Sequence, residues 1–263
     1  MNYPLSTLTY QPIFALMATY QHDTIVPFKE SGNTKKKQVE EMFDKIAFRY
    51  DFLNHFLSAG IDVGWRKKAI RQLKKLDPKK VLDVATGTGD VAILTWHLLK
   101  TEKIIGIDIS EKMLEIGRKK IAKLGLQTQV ELLKDDSETI SFNDNSFDAV
   151  TVAFGVRNFE DLEKGLQEIK RVMRPGGKLV ILECSRPTLP VIKDIYNFYL
   201  NKIAPKIGTI ISKNKNAYQY LNDSVQNFPE RKTFINILKK LGYKNTSCKT
   251  LSLGICCIYC AEK

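Results

Sequence analysis

Long apolar runs are missing from this 263-residue sequence. No stretch approaches the roughly 20 apolar residues that a membrane-spanning helix needs, so the chain is not expected to cross a bilayer by itself. Cysteine is scarce: five thiols, at 184, 248, 256, 257 and 260, are odd in number and crowd toward the end of the chain. That usage suits free thiols in a reducing cytoplasm and argues against a secreted disulfide scaffold. Cys257 and Cys260 form a lone CxxC; in a strand they would point to opposite faces, and no second ligand pair accompanies them. Histidine numbers three (His22, His55 and His97), none beside a nucleophile pattern, so triad hydrolysis finds no support. No basic segment precedes the apolar stretch from Ile13 to Ala18, so a secretory leader is a poor reading. Acidic residues are in deficit, 29 against 41 Lys and Arg, and the net charge of +12 leads us to expect an anionic partner. Nucleic acid, an acidic lipid surface and an anionic substrate are all open on charge alone. With 43% hydrophobic and 10% aromatic side chains the composition is that of a globular protein.

Residues 1–34 mix Pro, Ser, Thr, Tyr and Asn without sustained periodicity and are expected to form a disordered arm. Val39, Met42, Phe43, Ile46 and Tyr50 then recur at helical spacing, one apolar face of an amphipathic helix. A second, strongly basic helix is expected from Asp62 to Leu76, closed by Pro78, so that 35–77 forms a helical cover. Beyond Pro78, β-branched runs at 81–85, 104–108, 129–133, 147–154 and 178–184 alternate with helical patterns at 90–99, 111–124 and 161–173. This alternation predicts right-handed βαβ units and hence an α/β fold with a doubly wound, mostly parallel sheet. Helical patterns at 189–204 and 230–241 follow, and runs at 243–249 and 254–261 predict a closing antiparallel hairpin, for seven strands in all.

The most informative segment is Val81-Leu82-Asp83-Val84-Ala85-Thr86-Gly87-Thr88-Gly89-Asp90, a strand running into a glycine turn and then a helix. Gly87 and Gly89 allow backbone to approach a ligand closely, and the helix N-terminus offers free N–H groups. Asp108, about 20 residues on at the end of the second strand, is placed to accept hydrogen bonds from ribose hydroxyls. Gly87-x-Gly89-x-x-Ala92 also satisfies the dinucleotide fingerprint, so a dehydrogenase is a rival at this point. Asp83 and Asp90 would crowd a pyrophosphate, whereas they suit a ligand bearing an amine and a sulfonium, the features of S-adenosyl-L-methionine. Asp136 and Ser137 follow the third strand, where they could meet the adenine edge or form a plain Asx turn. Arg174-Pro175-Gly176-Gly177 reads as a turn into the fifth strand. The layout resembles the class I, Rossmann-like methyltransferases.

Within that class, Met42-Phe43-Asp44-Lys45-Ile46-Ala47, Arg49-Tyr50-Asp51, Leu57-Ser58-Ala59-Gly60-Ile61-Asp62 and Trp65-Arg66 resemble the N-terminal signature of the ubiquinone/menaquinone biosynthesis C-methyltransferases. Phe154-Gly155-Val156-Arg157-Asn158 is similar to their second signature, and Leu182-Glu183-Cys184-Ser185, Tyr218-Gln219-Tyr220-Leu221 and Phe228-Pro229 match as well. The resemblance spans roughly 38–263. It implies cofactor contacts at Gly87, Gly89, Thr88, Asp108, Asp136 and Ser137, with Asp83 beside them, and methylation of a ring carbon of a prenylated quinol. Ala153 stands where some members have serine, and Asp136-Ser137 where Asn-Ala or Asp-Ala is commoner. Asp-Ser and the thiol-rich ending point by association to members that make menaquinone, with a ubiquinol precursor as the other acceptor.

The chemistry needs alignment of a nucleophilic ring carbon and exclusion of water, and no metal. A ring carbon becomes more nucleophilic as its neighbouring hydroxyl ionises, so Arg157, charged at any working pH, is the candidate phenolate stabiliser. A structural ion pair is the competing role for Arg157. Tyr50 and Asn158 are candidates for placing cofactor and ring, although Tyr50 also falls on the apolar face of its helix. Residues 186–228 are a candidate substrate lid, with Tyr196 and Tyr199 either in it or in ordinary core. The eight Lys and Arg between Arg66 and Lys80 read either as a solvated face or as attraction to acidic headgroups, which would make the protein cytoplasmic and peripheral on the membrane. The rival enzyme reading is an RNA methyltransferase, favoured by charge alone; the Asn/Asp-Pro-Pro-aromatic motif of amino-group methylation is absent. The expected partner is therefore a quinol at a membrane surface and not nucleic acid, with a homodimer left open.

Overall fold

The computed structural model describes residues 20–58, 60–198 and 215–263. Among the described residues, α1 (Lys35–Leu57) and α2 (Ile61–Ile70) precede β1 (Lys80–Val84), α3 (Asp90–Leu99), β2 (Lys103–Asp108), α4 (Glu111–Lys123) and β3 (Val130–Lys134). Then come β4 (Phe147–Ala153), α5 (Leu162–Val172), β5 (Met173–Cys184), α6 (Pro190–Phe198), α7 (Lys215–Asn227), α8 (Lys232–Lys240), β6 (Lys244–Leu251) and β7 (Cys256–Glu262). The seven strands make one sheet in the order β3-β2-β1-β4-β5-β7-β6. The first five are parallel, and β7 inserts antiparallel between β5 and β6. This is the expected doubly wound sheet with an antiparallel end.

Period-two alternation buries both faces, as a sheet covered by helices on each side requires. On β1, β2, β4 and β5, Leu82, Val84, Ile105, Ile107, Val150, Val152, Leu179 and Ile181 pack with α5 and α8. Their neighbours Val81, Ile104, Ala149, Val180 and Leu182 pack on the other side with Trp65 and Ala69 of α2, Ala92 of α3 and Leu114 of α4. Strand order reverses between β1 and β4, and ligands of such sheets bind in the crevice outside the carboxyl ends at that point. α1 lies across this end. Its Val39 and Met42 pack on Ala217 and Tyr220 of α7, with Phe43 and Ile46 alongside.

Several expectations need correction. Residues 20–34 are not a loose arm: a short 3-10 turn at Gln21–Thr24 buries His22 completely against Phe228, and the Tyr20 hydroxyl donates to Glu163. The buried imidazole is held neutral, its pKa lowered to about 3 by burial and by Lys35. Arg174 to Gly177 do not precede the fifth strand but lie inside it, because β5 starts at Met173 opposite Phe147 and shifts register before Lys178 meets Ala149. A Cβ on Gly177 would come within 2.8 Å of the Arg174 carbonyl, so its glycine serves that bulge. The basic helix ends at Ile70 and tightens into a 3-10 turn over Arg71–Leu73. α7 was not anticipated. Residues 1–19 of the expected arm and 199–214 of the expected lid lie outside the described residues.

Candidate active site

Two short loops frame the crevice, and each begins with a strained residue. Ala85, after β1, and Phe154, after β4, have φ of +53° and +58°, a left-handed conformation unfavourable for a side chain with Cβ. They bring the loops into contact: a Cβ on Gly155 would sit 2.6 Å from that of Ala85. Gly87 and Gly89 are also left-handed, and Gly89 N-caps α3. Behind this loop the walls are tight. A Cβ on Gly106 would meet Leu132 and Thr86 at 2.6 Å, and one on Gly117 would meet Leu132 at 2.4 Å and the Thr88 carbonyl at 2.9 Å.

A cleft of about 650 Å³ opens between α1 and the ends of β1, β2 and β4, lined among others by Tyr50, Gly87, Asp108, Asp136, Ser137 and Asn158. A second, of about 370 Å³, is lined by Arg66, Asp83, Thr86, Gly87, Thr88 and Asp90. Tyr50, Ala85, Gly87, Ala153 and Phe154 line both, so one elongated ligand can occupy the two. Of the residues singled out from sequence, Gly89 and Arg157 line neither.

Asp108 binds the loop through its carboxylate, accepting from the Gly87 N–H at 2.8 Å and the Ser110 N–H at 2.9 Å. Burial raises its pKa above the usual carboxylate range, opposed by those backbone donors. Asp83 is fully buried, and both its oxygens accept threonine hydroxyls, Thr86 and Thr151, each at 2.6 Å. Burial outweighs these bonds and lifts its carboxyl to about 6. The Thr88 hydroxyl donates to Asp51 at 2.6 Å and accepts from Lys120 at 2.9 Å. Lys120 also pairs with Asp51 at 2.5 Å and Asp90 at 2.7 Å, and Asp90 with Arg66 at 2.8 Å. Burial alone would raise the Asp90 carboxyl; Lys120 and Arg66 reverse this and hold it low. Asp136 does form an Asx-type turn, accepting from the Glu138 N–H, while Lys36 of α1 bridges Asp136 at 2.6 Å and Glu138 at 3.0 Å.

Behind the larger cleft a buried ion pair ties the Val156–Asn158 turn to β5, the structural pairing that is the competing role for Arg157. Arg157, in a 3-10 turn at Val156–Asn158, is buried, and its Nη1 donates to Glu183 Oε1 at 2.6 Å and to the Phe154 carbonyl at 2.7 Å. Its buried Nε has no hydrogen-bond partner. Burial opposes the charge, but the facing Glu183 carboxylate more than offsets it, so the guanidinium titrates above its ordinary value; the charge is also felt at Tyr50 and Tyr220. Asn158 accepts from the Tyr220 hydroxyl at 3.1 Å, and burial pushes the Cys184 thiol up to about 12. Sequence reasoning assigned no role to Glu183, Tyr220, Lys120, Lys36 or Asp51. Tyr50 proves to be a wall of both clefts, not interior core.

A family model described as the ubiE/COQ5 methyltransferase family matches residues 31–263. A demethylmenaquinone methyltransferase of Bacteroides fragilis is 46% identical over 244 residues, covering 93% of this chain and 99% of that protein. A ubiquinone/menaquinone biosynthesis C-methyltransferase of Geotalea daltonii is 44% identical, covering 87% and 97%. Among solved structures, a Haemonchus contortus phosphoethanolamine N-methyltransferase in complex with S-adenosyl-L-methionine matches with TM-score 0.62 at 18% identity, over 90% of this chain and 61% of that one. A Thermotoga maritima S-adenosylmethionine-dependent methyltransferase matches with TM-score 0.57 at 20% identity, over 85% and 99%.

Proposed function

The chain belongs to the ubiE/COQ5 methyltransferase family, and from that premise we propose that it methylates a ring carbon of demethylmenaquinol, giving menaquinol, with S-adenosyl-L-methionine as methyl donor. The observation that carries the cofactor assignment is the pair of adjoining clefts with a carboxylate at each end. Asp108 suits the ribose hydroxyls and Asp136 with Ser137 the adenine edge; Gly87 lets the ligand pass close to backbone. Asp83 fits less directly than its sequence position suggests, since threonine hydroxyls take both its oxygens. Its part is to shape the loop and lend negative character to the smaller cleft, where Asp90 suits an ammonium and Arg66 with the Thr88 hydroxyl a carboxylate. When bound, S-adenosyl-L-methionine supplies an electrophilic methyl group.

The chain must then position the ring and favour its ionised form. Arg157, which lines neither cleft, serves as a fixed positive charge behind the Phe154–Asn158 wall, and a fixed charge in a water-poor site stabilises phenolate without reorganising. Glu183 is a positioning residue that holds the guanidinium from behind. Tyr50 closes the wall between the clefts, and Asn158, its amide held by the Tyr220 hydroxyl and the Phe154 carbonyl, lines the larger one. The acceptor's tail is membrane-borne, so the protein works as a peripheral protein on the cytoplasmic face of the membrane. No described helix is long and apolar enough to cross one. The reading as an RNA methyltransferase, which rested on charge, gains nothing from the family match.

The test is transfer of label from S-adenosyl-L-methionine to demethylmenaquinol in detergent, beside a ubiquinol precursor and bulk RNA. Product with quinols alone supports the reading. Product with RNA alone, or none while the cofactor binds, overturns it.

A further inference from the structure

Among the described residues, five of the nine exposed large apolar side chains lie at the carboxyl end of the sheet, on the β5 side; the most exposed, Phe48 (92%), stands apart on α1. Ile61 (52% exposed) and Val63 open α2, Leu253 (65%) tops the turn between β6 and β7, and Leu189 and Val191 (70%) lead into α6. These positions are joined. Trp65 Nε1 of α2 donates to Ser252 Oγ at 2.8 Å, and Ser185 Oγ donates to the Gly254 carbonyl at 2.6 Å. Gly254 lies against Pro187, in the segment that leads to Leu189. The elements that carry these side chains are therefore tied together from α2 through 252–254 to α6, beside the end of β5 that carries Glu183. At the opposite end of the sheet Leu76 and Leu124 stand singly, which is ordinary for a soluble surface.

Leu253 is the informative member. Its φ of +57° is a conformation that glycine would adopt at less cost, yet a leucine stands there with its side chain turned to water. The surrounding charge has one dominant sign: Lys68 on α2, Lys193 on α6 and Lys249 on β6 are exposed and Lys67 is half-buried, while Asp62 is buried against Arg66 and Ser58. Asp194 is the exposed acid of the described rim.

We propose that this rim is the surface by which the protein seats on an anionic lipid bilayer, with Leu253, Val191 and Ile61 entering the headgroup boundary and the flanking lysines meeting acidic headgroups. Apolar insertion and basic attraction are the two terms from which interfacial binding is built. The choice of a bilayer over a protein partner rests on the quinol reading above, because the rim borders the side of the crevice where a prenylated acceptor would enter.

The test is flotation of the full chain with vesicles of phosphatidylcholine alone and of phosphatidylcholine with phosphatidylglycerol. Leu253→Glu is compared with Leu124→Glu, and each variant's thermal melt and transfer to a tail-less quinol in solution are recorded. Binding to the phosphatidylglycerol vesicles, reduced roughly tenfold or more by Leu253→Glu and unchanged by Leu124→Glu, is expected. Retained transfer to the tail-less quinol would show the site intact in Leu253→Glu. Absence of vesicle binding, equal binding by the two variants, or a dimer split by Leu253→Glu without vesicle binding overturns the proposal. Failure to methylate any quinol, with vesicle binding intact, counts against the quinol reading and not against the rim.

Discussion

The two sides of the crevice are held by different means. On the β1–β2 side, backbone N–H groups meet carboxylates and long lysines at a partly exposed surface: Asp108 on Gly87 and Ser110, Lys36 on Asp136, Lys120 on Asp51 and Asp90. The lysine contacts among these can be exchanged for contacts to a ligand at small cost, since ion pairs of this exposure contribute about 1 kcal/mol or less. On the β4–β5 side, one arginine and one carboxylate are sealed together, Glu183 fully buried and Arg157 nearly so. Removing either partner strands a buried charge. The first side is adaptable and suits a ligand that must enter and leave every cycle; the second is rigid and suits a charge that must stay in place.

That contrast can be broken at several points. Glu183→Ala, which leaves the Arg157 guanidinium buried and unpaired, is expected to lower stability by about 3–5 kcal/mol in urea unfolding. Asp108→Ala, which strands the Gly87 and Ser110 N–H groups, should cost less stability, about 1–3 kcal/mol, but weaken S-adenosyl-L-methionine binding roughly hundredfold by calorimetry, the loss expected for charge-assisted hydrogen bonds to a partly buried ligand. A weakening as small as that of a surface pair would remove Asp108 from the cofactor site.

Asp83 sharpens the comparison through pH. Its folded carboxyl titrates near 6, above the ordinary value of 3.8, so between these values the folded state holds the proton more tightly than the unfolded one. Stability from this group is therefore complete below about 4 and is lost as pH rises toward 6. Asp83→Asn should abolish that decline, a difference on the order of 2 kcal/mol between pH 4 and 7 in paired denaturation curves. A parallel pair of curves would show that Asp83 is charged at little cost.

What could be read in the sequence follows the same division. The β1 loop was legible because strand, glycine turn and helix are contiguous, and Asp108 because it ends the next strand. Asp136 and Ser137 were placed by the same strand-end logic. The Arg157–Glu183 pair was not, since its partners lie 26 residues apart on different elements and meet only because β4 and β5 are neighbours. Lys36 and Lys120 escaped notice because a long cation on a helix usually signals a solvated face, and only the crossing of α1 over the sheet makes them part of a site. Residues 20–34 lack periodicity and still pack, because single anchors such as His22 and Tyr20 carry the contact and no repeating face is needed.

The division of labour between the two sides is tested most directly by Arg157→Lys, which keeps a positive charge but cannot reproduce the guanidinium's paired geometry. Cofactor affinity and single-turnover methyl transfer would be measured on the same preparation. Affinity within about twofold of the unaltered protein, with transfer slowed by roughly a hundredfold or more, is the expected result. Equal loss of affinity and rate would contradict it, because the β4–β5 side would then be holding the cofactor and not the acceptor.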